Sequence, residues 1–93
     1  MKAQTHDFLD GNGPVPAHRH INGGGWVANT TNVHNSAYIG PDARVYGNAR
    51  VHGDARVSGY ARVYGDARVY GDAWVYGNAR VSGAALVKRG VYT

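Results

Sequence analysis

Residues 61–78 read Ala61-Arg62-Val63-Tyr64-Gly65-Asp66-Ala67-Arg68-Val69-Tyr70-Gly71-Asp72-Ala73-Trp74-Val75-Tyr76-Gly77-Asn78. One six-residue unit, Ala-Arg-Val-Tyr-Gly-Asp, is written out in succession, and only Trp74 and Asn78 depart from it. Within the unit, Ala and Val alternate with Arg and Tyr. A period of two is strand chemistry: it sends small and branched side chains to one face and long polar ones to the other. Gly followed by Asp or Asn then makes a corner, because Gly tolerates positive φ and an Asx side chain bonds to nearby backbone. A strand of three or four residues that meets a corner every six cannot form a hairpin ladder. It forms one side of a solenoid coil.

The beat extends well beyond this window. Val27, Val33, Ile39, Val45, Val51, Val57, Val63, Val69, Val75, Val81 and Val87 stand six apart. From Ile39 onward an alanine precedes each by two positions, from Ala37 through Ala85. These are the expected core.

An aliphatic residue every sixth position with a small residue four after it resembles the hexapeptide-repeat family, over Gly25 to Val87. The Gly23-Gly24-Gly25-Trp26-Val27 entry also resembles the first coil of small transferase-like bacterial and phage members. The resemblance implies an all-β fold: a left-handed parallel β-helix with triangular coils of about 18 residues, here about three and a half coils. It also implies a homotrimer. The left hand is the family's and runs against the usual right-handed crossover.

The chain has 93 residues, formal charge +4 and no cysteine. That is one domain, with neither disulfides nor thiolate metal sites. No apolar run reaches transmembrane length and no secretory h-region opens the chain, so a cytoplasmic location is expected. The basic balance favours an anionic partner.

Residues 1–24 are expected to form an extended N-terminal arm or cap, and 25–93 the β-helix. Gly11-Asn12-Gly13-Pro14 reads as a turn and Val15-Pro16 as extended chain. Leu9, Val15 and Ile21 keep the six-residue phase, as in a degraded coil, although their flanks do not fit it. At the other end Lys88 and Arg89 read as charges protecting a strand edge.

Folding the chain at 18 residues per coil sorts the outward residues into files. The first face carries Trp26, Arg44, Arg62 and Arg80 beside Ala28, Tyr46, Tyr64 and Ser82. The second carries Asn32, Arg50, Arg68 and Leu86 beside His34, His52, Tyr70 and Lys88. The third carries Tyr38, Arg56, Trp74 and Tyr92 beside Gly40, Ser58 and Tyr76. Its large aromatics and low charge suit it to subunit packing.

Stacked guanidiniums repel one another. Asp42, Asp54 and Asp66 stand two residues before Arg44, Arg56 and Arg68 and offer them local relief; Arg50, Arg62 and Arg80 have no such neighbour. Arginine beside tyrosine suits a phosphate carrying a flat base. The expected ligand-binding residues are therefore Arg50, Arg62, Arg80, Tyr46, Tyr64, Tyr70, His34 and His52, in clefts between neighbouring prisms. Flat Arg–Tyr stacking is the structural alternative.

Coil histidines act as general bases in hexapeptide acyltransferases, which gives His34 and His52 a catalytic alternative. The acceptor loop and long helix of those enzymes are missing. A zinc site from His6, His18 and His20 is a further reading, with a polar arm as its rival. No phosphate loop, nucleophile elbow or carboxylate dyad appears, so no catalytic residue, metal or cofactor is assigned.

The expected function is a non-catalytic homo-oligomeric module binding an anionic, nucleotide-like small molecule, such as a host signalling nucleotide sequestered by a phage protein. The alternatives are a structural phage or surface spike segment and a hexapeptide-type acyltransferase. Flat prism faces have nothing to enter a DNA groove, so duplex nucleic acid is not an expected partner.

Overall fold

The computed structural model describes residues 5–8 and 13–88, together with the backbone of 91–92. Leu9, the Gly11-Asn12 part of the expected turn and the Arg89 edge charge lie outside the described residues.

Two-residue strands recur every six residues and pair in parallel one coil apart. The first wall is β3 (Trp26–Ala28), β6 (Arg44–Val45), β9 (Arg62–Val63) and β12 (Arg80–Val81). The second is β4 (Asn32–Val33), β7 (Arg50–Val51), β10 (Arg68–Val69) and β13 (Leu86–Val87). The third is β5 (Tyr38–Ile39), β8 (Arg56–Val57), β11 (Trp74–Val75) and β14 (Val91–Tyr92). Val27 stands over Val45 and Val45 over Val63, which fixes the coil at 18 residues. The fold is a three-walled parallel β-solenoid, with no helix among the described residues.

The interior is as thin as the sequence implies. Val45, Val51, Val57, Val63, Val69 and Val75 are wholly buried, and Ala49, Ala55, Ala61, Ala67 and Ala73 are buried with them. Coils are joined by backbone bonds along each wall: Tyr46 N–H donates to the Val63 carbonyl at 2.9 Å and Tyr64 N–H to Val81 at 2.9 Å. Inside a dry tube these bonds satisfy groups that have no access to water.

The corners explain the glycines. Gly65 has φ +67°, and a Cβ built there would lie 2.9 Å from the Gly83 nitrogen in the next coil. Stacked corners leave room only for hydrogen, and the backbone sits where L side chains are strained.

The amino-terminal segment departs from the beat. β1 (Thr5–Asp7) pairs antiparallel with β2 (Pro14–Arg19), and β2 pairs antiparallel with β3. The two strands continue the first wall as a hairpin and curl over its outer surface, so Phe8 stacks on Tyr46 with ring centroids 4.8 Å apart. Val15 packs in this outer cluster and Ile21 is 78% exposed, so neither lines a degraded coil. Pro14 and Pro16 stand opposite Asp7 and Thr5, and neither has an N–H to add to the ladder.

Beyond the hairpin the chain closes the top of the third wall. Gly25 N–H donates to the Ile39 carbonyl at 2.9 Å, Ile39 N–H donates to Asn22 at 3.0 Å, and the buried His20 ring reaches the Ala37 carbonyl through Nε2 at 2.8 Å.

At the far end the period slips. Trp74 pairs with Val91 and Val75 with Tyr92, one position short of the expected pairing of Trp74 with Tyr92. Lys88-Arg89-Gly90 lacks the Gly-Asx corner that sets six residues per side.

Candidate ligand-binding faces

The eight expected ligand-binding residues divide between two walls. Tyr46, Arg62, Tyr64 and Arg80 lie on the first; His34, Arg50, His52 and Tyr70 lie on the second. A triangular prism turns adjacent walls away from each other, so a single chain presents two half-sets.

On the first wall the hairpin reaches the tyrosines. Tyr46 is only 5% exposed, held between Phe8 and Tyr64, whose ring lies 4.9 Å away and 3° from parallel. It belongs to a small outer core with Phe8, Ala17 and Ala28, against which Val15, Trp26 and Tyr64 pack. The exposed phenol expected from alternation is covered because an aromatic from another part of the chain lies on it. His6 stacks on Trp26 at 4.5 Å, and the Arg19 guanidinium lies 4.6 Å from the same indole. Arg62 and Arg80 remain in register one coil apart below the cluster.

On the second wall Arg50 and Arg68 are Cα partners in adjacent coils. Both are exposed and open on a groove of about 780 Å³ shared with Thr30, Thr31, Asn48 and Asp66. Beside them the His34 and His52 rings stack with centroids 4.4 Å apart and planes 20° from parallel. The Nε2 atom of His52 is buried without a hydrogen-bond partner. Burial, then His34, Arg50 and Arg68, hold the His52 imidazole below its ordinary value. Each cause disfavours a further positive charge on this wall.

The expected Asp–Arg relief is not formed. Asp42, Asp54 and Asp66 make no ion pair with the arginines two residues on. Asp54 and Arg56 border one groove and Asp66 and Arg68 another, but neither pair closes to contact distance. Arg56 instead lies over the Trp74 ring at 5.3 Å.

The three arm histidines occupy separate surroundings. His6 stacks on Trp26, the exposed His18 ring approaches Asn29 Oδ1 at 2.6 Å, and His20 bonds to the Ala37 carbonyl. No cluster of three metal-ligating side chains forms among the described residues.

The third wall holds a second groove, of about 840 Å³, bordered by Asp54, Arg56, Ser58, Asp72, Trp74 and Tyr76 among others. Sequence reading placed Trp74 and Tyr76 on this face and Asp54 two residues before Arg56, but did not assign the carboxylates to this groove. Asp54 and Asp72 are corner residues, and only the fold shows that this corner opens toward the third wall.

No helix among the described residues is long and apolar enough to cross a membrane. No curated protein and no solved structure matches the chain. Residues 43–59, 61–77 and 73–89 each match the family model described as YdcK Beta solenoid repeat. The second match starts one full coil after the first, and the third starts two sides after the second. The same pattern thus fits the chain in more than one phase, as it must when the three sides share one hexapeptide. The chain is a β-solenoid repeat protein, and its repeats between residues 43 and 89 are similar to those of the YdcK family.

Proposed function

We propose that this β-solenoid is a non-catalytic binding module whose second wall takes an anionic, nucleotide-like small molecule. The observation that carries the reading is the in-register pair Arg50 and Arg68 opening on one groove. Two arginines on strands about 4.8 Å apart can donate to different oxygens of one phosphate or diphosphate. Thr30, Thr31 and Asn48 add hydroxyl and amide donors at the rim. Tyr70 and the His34–His52 stack supply flat surfaces for a base. A bound anion also offsets the mutual repulsion of the guanidiniums, which form no ion pair with an aspartate among the described residues.

Calorimetric titration with inorganic phosphate, a nucleoside monophosphate and a cyclic dinucleotide tests this. Binding of at least one phosphate-bearing probe is expected, weakened about tenfold or more in Arg50→Ala and Arg68→Ala. Heat from none of them, or affinity unchanged in both variants, would remove the reading and leave a structural spacer as the better account.

A further inference from the structure

We propose that the groove on the third wall binds a straight, neutral saccharide chain. Trp74 and Tyr76 are 45% and 39% exposed, and their rings meet edge-on at 88° with centroids 6.5 Å apart. They present an indole face and a phenol face at a right angle, a surface onto which the C–H faces of a pyranose can pack. Large aromatics left open beside polar groups mark a contact site more often than a solvated surface.

The polar rim selects what lies on them. Asp54 and Asp72 stand one coil apart at the edge of the groove, with Ser58 across the wall. Neither carboxylate makes an ion pair among the described residues. Carboxylates accept hydrogen bonds only, and each accepts from more than one donor. Sugar hydroxyls are donors. Arg56, the groove's one guanidinium, already lies over Trp74 at 5.3 Å. That guanidinium covers one face of the indole and offsets one of the two carboxylate charges, so the groove holds little net charge to select a cation. Two carboxylates also repel an anion. A hydroxyl-rich ligand without charge is what remains.

Shape sets the rest. The groove's residues come from successive coils stacked in a straight file at about 4.8 Å, on a flat wall. A linear chain with equatorial linkages runs along such a file, and a helically wound one lifts away from it. The site is on a different wall from the anion groove, so the two readings stand or fall separately.

Tryptophan fluorescence tests the proposal, because the chain has two tryptophans and Trp26 lies under the hairpin. Cellohexaose and chitohexaose are the straight probes and maltohexaose the wound one. A saturable change with at least one straight probe is expected, at least tenfold weaker with maltohexaose. Trp74→Ala, which removes the reporter, is followed by calorimetry and should abolish binding. Asp54→Asn and Asp72→Asn should each weaken it about three- to tenfold. Unchanged circular dichroism in the variants separates loss of the site from loss of the fold. Saturation by none of the three sugars overturns the proposal, as does binding retained in Trp74→Ala. A particle mass that falls in Trp74→Ala by light scattering also overturns it, since a second copy of the chain would then be what covers this wall.

Discussion

The molecule has two cores. Inside the tube, valines and alanines stack on copies of themselves, and every coil resembles the last. Outside it, under the hairpin, Phe8, Ala17, Ala28 and Tyr46 form one aperiodic aromatic cluster from three separate stretches of chain. The inner core is specified by a rule that each hexapeptide obeys independently. The outer one depends on a single docking event between the hairpin and the first wall. Repetition makes the tube tolerant of variation among coils; singularity makes the cap dependent on a few contacts.

The largest effect is expected where the repeat has no slack. Val63→Asp places a carboxylate in a tube with no polar partner, at a cost of several kcal/mol. Loss of the cooperative β-sheet transition in thermal circular dichroism is the expected readout; a normal melt would contradict the inward valine file.

Phe8→Ala addresses the cap. Truncating a buried phenylalanine costs about 3–5 kcal/mol. Here the loss should be local: the amides of Val15, Ala17, His18 and Arg19 lose hydrogen-exchange protection while those around Val63 and Val69 keep theirs. Equal loss in both regions would mean that the two cores are one cooperative unit.

Gly65→Ala comes next. It forces a Cβ at φ +67° against the Gly83 backbone, and strain of about 1–3 kcal/mol is expected as a lower denaturation midpoint. Gly13, also at positive φ, has open space around its Cβ position and should tolerate Ala better.

Acid should act on the cap as well. Burial, then Arg44 and Arg19, lower the His6 imidazole below 6.5, against a smaller opposing pull from Asp7. The folded state therefore binds the proton less readily than the unfolded chain. The stability this contributes is present above pH 6.5 and is lost as the pH falls through the folded-state value. His52 has the same sign. Melting temperatures should fall between pH 7.5 and 5, and His6→Phe should flatten part of that fall; a melting temperature that rises with acid would reverse the assignment.

The smallest effect is Arg62→Gln. Removing one rung between Arg44 and Arg80 relieves repulsion of under about 1 kcal/mol, so stability should rise slightly at low salt and converge with the parent at high salt.

What could be read in advance followed the same division. The interior and the corners came from local periodicity, so Val63 and Gly65 sit where the hexapeptide puts them; the sorting of outward residues such as Arg62 into three walls came from the 18-residue coil that the hexapeptide-repeat resemblance implies. The cap was not legible. Phe8 and Tyr46 are far apart in sequence, and nothing in the six-residue phase of Val15 and Ile21 reveals that their segment runs antiparallel. The expected ligand-binding residues stand on the two walls to which position within the coil had already sorted them. Asp54 and Asp72 could be read as corner residues but not as part of a groove: a corner residue belongs to two walls, and only the fold says which it borders.

The near-identity of the three sides has a consequence for how such a chain can change. Gaining or losing one hexapeptide leaves the lumen filled, since valine still follows valine. Everything downstream turns by a third of a revolution, so Arg68 would come to stand beneath a different neighbour. A single unit of indel thus redeals the exterior while sparing the interior, and new surface mosaics become reachable without passing through an unfolded ancestor.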